Sequence, residues 1–240
     1  MSLKENREII AELDRESKQK EAVFIARIAQ RLGHSRVQTA PHRNVRGVPE
    51  FWKDYHLEKP ERISLFMKNW ESLGGTARRF STSDDLTSYI QQVAFKLQAK
   101  RMIRWGHPFL DHIGIDEKLK DMENIVWEIR NKSGLLIGAA GADLGIVVAD
   151  YAIAHTGTIV VVSSATKGRS VSLLPTALMV IVRTKDIKTK MGEVLSEIQQ
   201  GREMPAGIHF ITGPSRSADI ENDLTIGVHG PGIVYALIID

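Results

Sequence analysis

The sequence predicts an α/β fold, a mainly parallel sheet covered by helices on both faces and preceded by an N-terminal helical arm. Two patterns and one bulk property predict it. Short apolar runs at 76–80, 102–105, 125–129 and 178–182 alternate with stretches of helical period, as strands joined by crossover helices do. The runs 208–211 and 233–239 read as further buried strands flanking a long polar loop. The chain has 240 residues and is 42% hydrophobic, enough to supply a sizeable core.

In order along the chain, residues 4–32 are helical by pattern, with Ile25, Ile28 and Leu32 on one stripe and Gly33 where a C-terminal cap belongs. The half 4–20 is mostly charged and has only Ile9, Ile10 and Leu13 to bury. A neighbouring subunit or a frayed terminus would each account for it. From 33 to 59 the period is lost, and His34, Arg36, His42, Arg43 and Arg46 form a basic cluster of the kind that is usually solvated coil. Residues 1–59 are therefore taken as arm and coil, and 60–240 as the α/β domain. In that domain Ile63, Phe66, Met67, Trp70 and Leu73 predict a helix ended by Gly74-Gly75. Ser83-Asp84-Asp85 starts another, with Leu86, Ile90, Val93 and Leu97 buried. His107 comes after the strand at 102–105, at the end where open α/β sheets place ligands.

The stretch 134–162, rich in Gly, Ala, Ile and Val, predicts a run of buried strands joined by tight turns. Within it the chain reverses at His155-Thr156-Gly157, so that a Thr156-Gly157-Thr158 tip presents hydroxyls and N–H groups suited to an anion. Asp150 interrupts apolar sequence and must be hydrogen-bonded or line a cavity. Lys167 and Arg169, in a polar loop, are cations that could neutralise an anion at the tip. A helix is predicted over 187–198 from Ile187, Met191, Val194, Leu195 and Ile198. In the loop from Gly213, Ser215 and Ser217 are expected to cap a short helix through Asp223, with Asp219 and Glu221 at its positive end. Arg216 is a fork for carboxylate or phosphate, and Gly227, His229, Gly230 and Pro231 form a second loop beside it.

Composition excludes several functions. The sequence holds no cysteine, so it offers no disulfide, no thiolate for an iron–sulfur cluster and no zinc ribbon. No metal site is expected. The formal charge of +3 leaves Lys and Arg nearly matched by Asp and Glu, which suits an ordinary surface better than a nucleic-acid footprint. No uncharged apolar run reaches membrane-spanning length and no signal peptide is evident, so a soluble cytoplasmic protein is expected.

The motifs Ala-Asp-Tyr-Ala-Ile-Ala-His-Thr-Gly-Thr (149–158), Gly-Pro-Ser-Arg-Ser-Ala-Asp-Ile-Glu (213–221) and Leu-Thr-Ile-Gly-Val-His-Gly-Pro (224–231) resemble the LUD domain, and more narrowly the bacterial lactate utilization protein C family. The leading helix, with Phe24-Ile25-Ala26-Arg27-Ile28-Ala29, is similar too. The resemblance implies a Rossmann-like sheet akin to the ribose-phosphate isomerase and coenzyme A transferase group. It also implies a role in oxidising L-lactate to pyruvate beside iron–sulfur partner proteins, and His155 stands where many LUD domains carry an acid. The leading expectation is a non-redox component that binds an anionic metabolite or cofactor. Ligand-binding candidates are Thr156, Gly157, Thr158, Arg169, Gly213, Ser215, Arg216 and His229, and proton-transfer candidates are Asp150 and His155. A stand-alone enzyme acting on a coenzyme A thioester or phosphosugar, and an assembly or regulatory module that uses the N-terminal arm and basic coil, remain alternatives, and a homo-oligomer is a separate expectation. Whether the chain is itself catalytic is left open.

Overall fold

The structure is a computed structural model that describes residues 3–35, 55–128, 132–201, 205–218 and 224–240. Two compact units divide the chain, Met1–Lys53 and Asp54–Asp240. The first contains α1 (Leu3–Arg31), followed by Gly33 at φ +75°, the left-handed conformation of a C-terminal cap. The expected basic coil lies mostly at 36–54, outside the described residues.

The second unit begins with α2 (Lys59–Ser72), whose Glu61 side chain accepts from the Glu58 N–H at 3.0 Å. It continues with β1 (Thr76–Phe80), α3 (Ser83–Lys96), β2 (Arg101–Trp105), α4 (Pro108–His112), α5 (Ile115–Lys118), β3 (Glu123–Trp127) and α6 (Lys132–Ala140). After these come β4 (Leu144–Val148), β5 (Tyr151–Ile153), β6 (Thr158–Val162), α7 (Ser170–Leu173), β7 (Ala177–Arg183), β8 (Ile187–Lys188) and α8 (Met191–Gln200). β9 (Ile208–Ile211), β10 (Arg216–Ala218), β11 (Leu224–Ile226) and β12 (Ile233–Ile239) complete the unit.

Six strands form one parallel sheet in the order β1-β12-β7-β4-β2-β3. Strand side chains alternate between its faces. Met102, Ile146 and Leu237 pack with Leu86 and Ile90 of α3 and with Leu110 and Ile115. Ile103, Val147 and Ala236 turn the other way, onto Ile63, Phe66 and Trp70 of α2, Ala139 of α6 and Val171 of α7. A second sheet, β8-β5-β6-β9, joins this latter face through Ala152 and Ile159, and α8 covers its outer side with Val194 and Ile198. The expected α/β class and mainly parallel sheet are therefore observed.

Four local expectations are corrected. Residues 134–140 are helical, with Leu135, Gly138 and Ala139, the latter two spaced three and four apart from Leu135, as the buried positions. Ile187 belongs to a short strand parallel to β5, and the helix starts only at Met191, after the Lys190 N–H has met Glu193 at 3.1 Å. Among the described residues Ser215 and Ser217 cap no helix: Arg216–Ala218 pairs antiparallel with Leu224–Ile226. Asp219 and Glu221 lie outside the described residues. The third strand is also shifted, to Glu123–Trp127, pairing in register with Arg101–Trp105.

Candidate functional site

In the parallel sheet β2 has its sequence successor β3 on one side and β4 on the other, so the strand order reverses there. A crevice forms at such a switch point, outside the carboxyl ends of the strands. The residues that leave those ends are Gly106-His107 after β2, Ala149-Asp150 after β4 and Arg183 at the end of β7.

His107 caps α4. Its Nδ1 accepts from the Phe109 N–H at 3.1 Å, so the neutral ring carries its proton on Nε2. Partial burial, and then the charges of Lys167 and Arg183, hold its pKa below the ordinary imidazole value. The Asp150 carboxylate accepts from the Val162 N–H at 2.7 Å and pairs with Lys167, with both side chains only about one-fifth exposed. Lys167 lies 5.4 Å from the centroid of Trp105, and Trp105 Nε1 donates to Gly168 O at 2.9 Å. A Cβ at Gly168 would stand 2.1 Å from the Trp127 ring, so only glycine lets this loop lie flat across the carboxyl ends of β2 and β3. Arg183 Nε donates to Asp186 at 2.7 Å.

A groove of about 510 Å³ continues from this cluster, lined by Asp150, Tyr151, Arg183, Asp186, Glu197 and Ile198 among others. Burial first, and then Glu197, raise the Tyr151 pKa. Glu197 also pairs with Lys188, which lies 5.9 Å from the Tyr151 ring centroid. Charges of both signs thus meet at the carboxyl edge. Such a site can hold an anionic group, donate a hydrogen bond from His107, and pass a proton through Asp150.

The sequence-predicted residues divide between two places. Asp150 is in the crevice, while the Thr156-Gly157-Thr158 tip is at the far end of the β5–β6 hairpin, docked on α2. Asn69 Nδ2 donates to Ala154 O at 2.8 Å and to His155 O at 3.0 Å. A Cβ at Gly157, where φ is +59°, would stand 2.7 Å from backbone atoms of Asn69 and Trp70. The hydroxyls turn inward, Thr156 to Thr158 at 2.8 Å and Thr158 to Thr212 at 3.0 Å, and Thr158 is buried. The expectation of an exposed tip is therefore corrected: its polar groups satisfy one another and α2. His155 is exposed and sets its ring edge-on to Tyr55 at 5.8 Å.

Thr212 links the tip to the second motif, and this neighbourhood is the amino edge of the sheet. Gly213 packs against Leu73, and the Arg216 guanidinium lies over Gly74 just before β1. Ser215 is a pin: its N–H donates to Pro231 O, its carbonyl accepts from the Gly227 N–H, both at 2.9 Å, and its Oγ accepts from the His229 N–H at 3.3 Å. His229 lines a separate groove of about 580 Å³ with Leu173, Leu174, Ile226 and Val228. Arg169 is exposed; after partial burial, its charge is the further cause of a lowered His209 pKa, and His209 Nε2 lies 3.2 Å from Ser163 Oγ. Arg183 and Asp186 do not stand out in the sequence. Attention to the carboxyl end of every parallel strand, the signal that singles out His107, would also find Arg183.

The family model for the LUD domain matches residues 63–239. The chain belongs to the LUD domain family. The resemblance carried by 149–158 and 213–231 is thereby borne out. Among relatives of this LUD protein, Lactate utilization protein C of Halalkalibacterium halodurans is 33% identical over 221 residues, covering 89% of this chain and 94% of that one. Lactate utilization protein C of Shouchella clausii is 30% identical over 222 residues, covering 90% of this chain and 96% of that one. The crystal structure of a DUF162 family protein from Deinococcus radiodurans superposes with a TM-score of 0.53 over 77% of this chain and 99% of that chain, and at 20% identity it shows the LUD fold alone. Among the described residues no helix is long and apolar enough to cross a membrane.

Proposed function

We propose that this LUD protein serves lactate utilisation as a component that binds an anionic metabolite at the carboxyl edge of its parallel sheet while partner proteins carry the electrons. The observation that carries this reading is the match, over about nine-tenths of the chain, to relatives named Lactate utilization protein C. The geometry supports the anion site. Lys167 and Arg183 offer charge to a carboxylate, and His107 offers an Nε2–H to a hydroxyl or carbonyl oxygen at the same crevice. Lys167 would shift its pairing from Asp150 toward the ligand, which frees Asp150 to take up a proton.

Oxidising a 2-hydroxy acid to a 2-oxo acid removes two electrons and two protons. With no cysteine in the sequence, thiolate-held iron–sulfur clusters would have to be a partner's. The test is deletion of the gene followed by complementation. Growth on L-lactate should be lost while growth on glucose persists, and the wild-type chain should restore it where Lys167→Met does not. Normal growth of the deletion strain on L-lactate would refute the proposal.

A further inference from the structure

The LUD match begins at residue 63, so α1 lies outside it. A 29-residue helix is about 43 Å long, and most helical stability in proteins comes from packing an apolar face. Yet Ile10, Leu13, Phe24 and Ile28 of α1 are 65%, 60%, 62% and 41% exposed. These four, with Ser17 and Lys20, recur every three or four residues and form one seam. Ala29, which is buried, lies on a different flank, about 120° round the helix from the seam at 100° per residue. Of the described side chains of α1 only those of Ala22 and Ala29 are not exposed, and the seam is where the exposed apolar ones align.

Charge is distributed unevenly along the same helix. In its first half acids outnumber bases, with Glu5, Glu8, Glu12, Asp14 and Glu16 against Lys4, Arg7 and Arg15. In its second half the balance inverts, with Lys18, Lys20, Arg27 and Arg31 against Glu21 alone. A parallel partner of the same sequence would set like halves together. An antiparallel one sets acidic against basic, opposes the helix dipoles, and brings Ile10 over the partner's Ile28 and Leu13 beside the partner's Phe24 and Ile25. The polar Ser17 then falls near the centre of the seam, opposite the partner's Glu21, where a polar position fixes register at some cost in stability.

We propose that α1 is a dimerisation helix, and that its occupant is α1 of a second copy of this chain in antiparallel register. Light scattering on the full chain across a dilution series should give a dimer that dissociates on dilution. Leu13→Glu with Phe24→Glu should raise its dissociation constant at least about a hundredfold, while thermal unfolding of the Asp54–Asp240 unit is unchanged. Because the sequence has no cysteine, introduced cysteines report orientation without background. Ile10→Cys alone should stay unlinked on oxidation. Ile10→Cys with Ile28→Cys should link between chains, since within one helix those positions are about 27 Å apart. A monomer at every concentration, a dimer indifferent to the glutamates, or self-linking of Ile10→Cys alone would each overturn the proposal.

Discussion

Replacing Lys167 by methionine keeps the apolar stem over Trp105 and removes the charge that faces Asp150. The surroundings set the expected cost. Fully exposed pairs are worth about 0–1 kcal/mol, and breaking a fully buried one costs about 3–5 kcal/mol. With 18% and 24% exposure on the two side chains, and with the Val162 N–H still bonded to Asp150, the loss should be about 2 kcal/mol. In a chain of this size that lowers Tm by about 4–8 °C. A second readout separates charge from packing. Lys167 is the second cause, after burial, of the depressed His107 pKa, so the His107 titration followed by NMR should move up in Lys167→Met. It should stay below the ordinary value, because burial and Arg183 remain. Asp150→Asn measured alone and with Lys167→Met closes a double-mutant cycle with a coupling of about 1–2 kcal/mol. An unchanged Tm would mean the pair is screened by water. An unchanged His107 titration would show that the two groups do not share the crevice, and would refute a common site for them.

Burial lowers the pKa of both His107 and His209, so between their folded values and 6.5 the unfolded chain binds more protons than the folded one. Stability should therefore hold above pH 6.5 and decline as the pH falls below it, and urea titrations of His107→Gln with His209→Gln should show a shallower decline. Gly157→Ala adds a Cβ 2.7 Å from backbone of α2 at a positive φ; the strain and overlap together should cost about 2–5 kcal/mol, read by chemical denaturation. Gln98 holds φ +52° in the turn before β2, so Gln98→Gly should be neutral or stabilising by up to about 1 kcal/mol, whereas Gln98→Val should destabilise.

The parallel strands are legible because burial on both faces leaves near-continuous apolar runs, as in Leu178–Val180 and Leu237–Ile239, bounded by turn residues at strand-like lengths. Residues 134–140 are not. A short run of Gly, Leu, Ile and Ala carries no period long enough to tell a buried helix from a strand, and contact with β3 through Gly138 and Ile125 decides it. Ser215 and Ser217 look alike as helix caps and as hairpin residues, and the deciding pairing of 216–218 with 224–226 crosses a gap that local sequence does not bridge. The functional motifs are visible in the sequence, but not their places. Asp150 and Thr156–Thr158 are neighbours along the chain, yet β5 separates them as the two ends of a strut, one at each edge of the sheet. The partnership of His107, Asp150, Lys167 and Arg183 depends on the order of strands, which no spacing along the chain reveals.

That order also constrains how the protein is made. β12 lies between β1 and β7, so Thr76 waits for Tyr235 as its neighbour. Until residues 233–239 leave the ribosome, β1 has no partner and α2 has only part of a floor to rest on. Until then the nascent chain must carry open strand edges at β1 and β7 and a partly covered Phe66–Trp70 face, and contacts so distant in sequence form late. Early truncations should be claimed by chaperones and proteases rather than persist as a smaller domain.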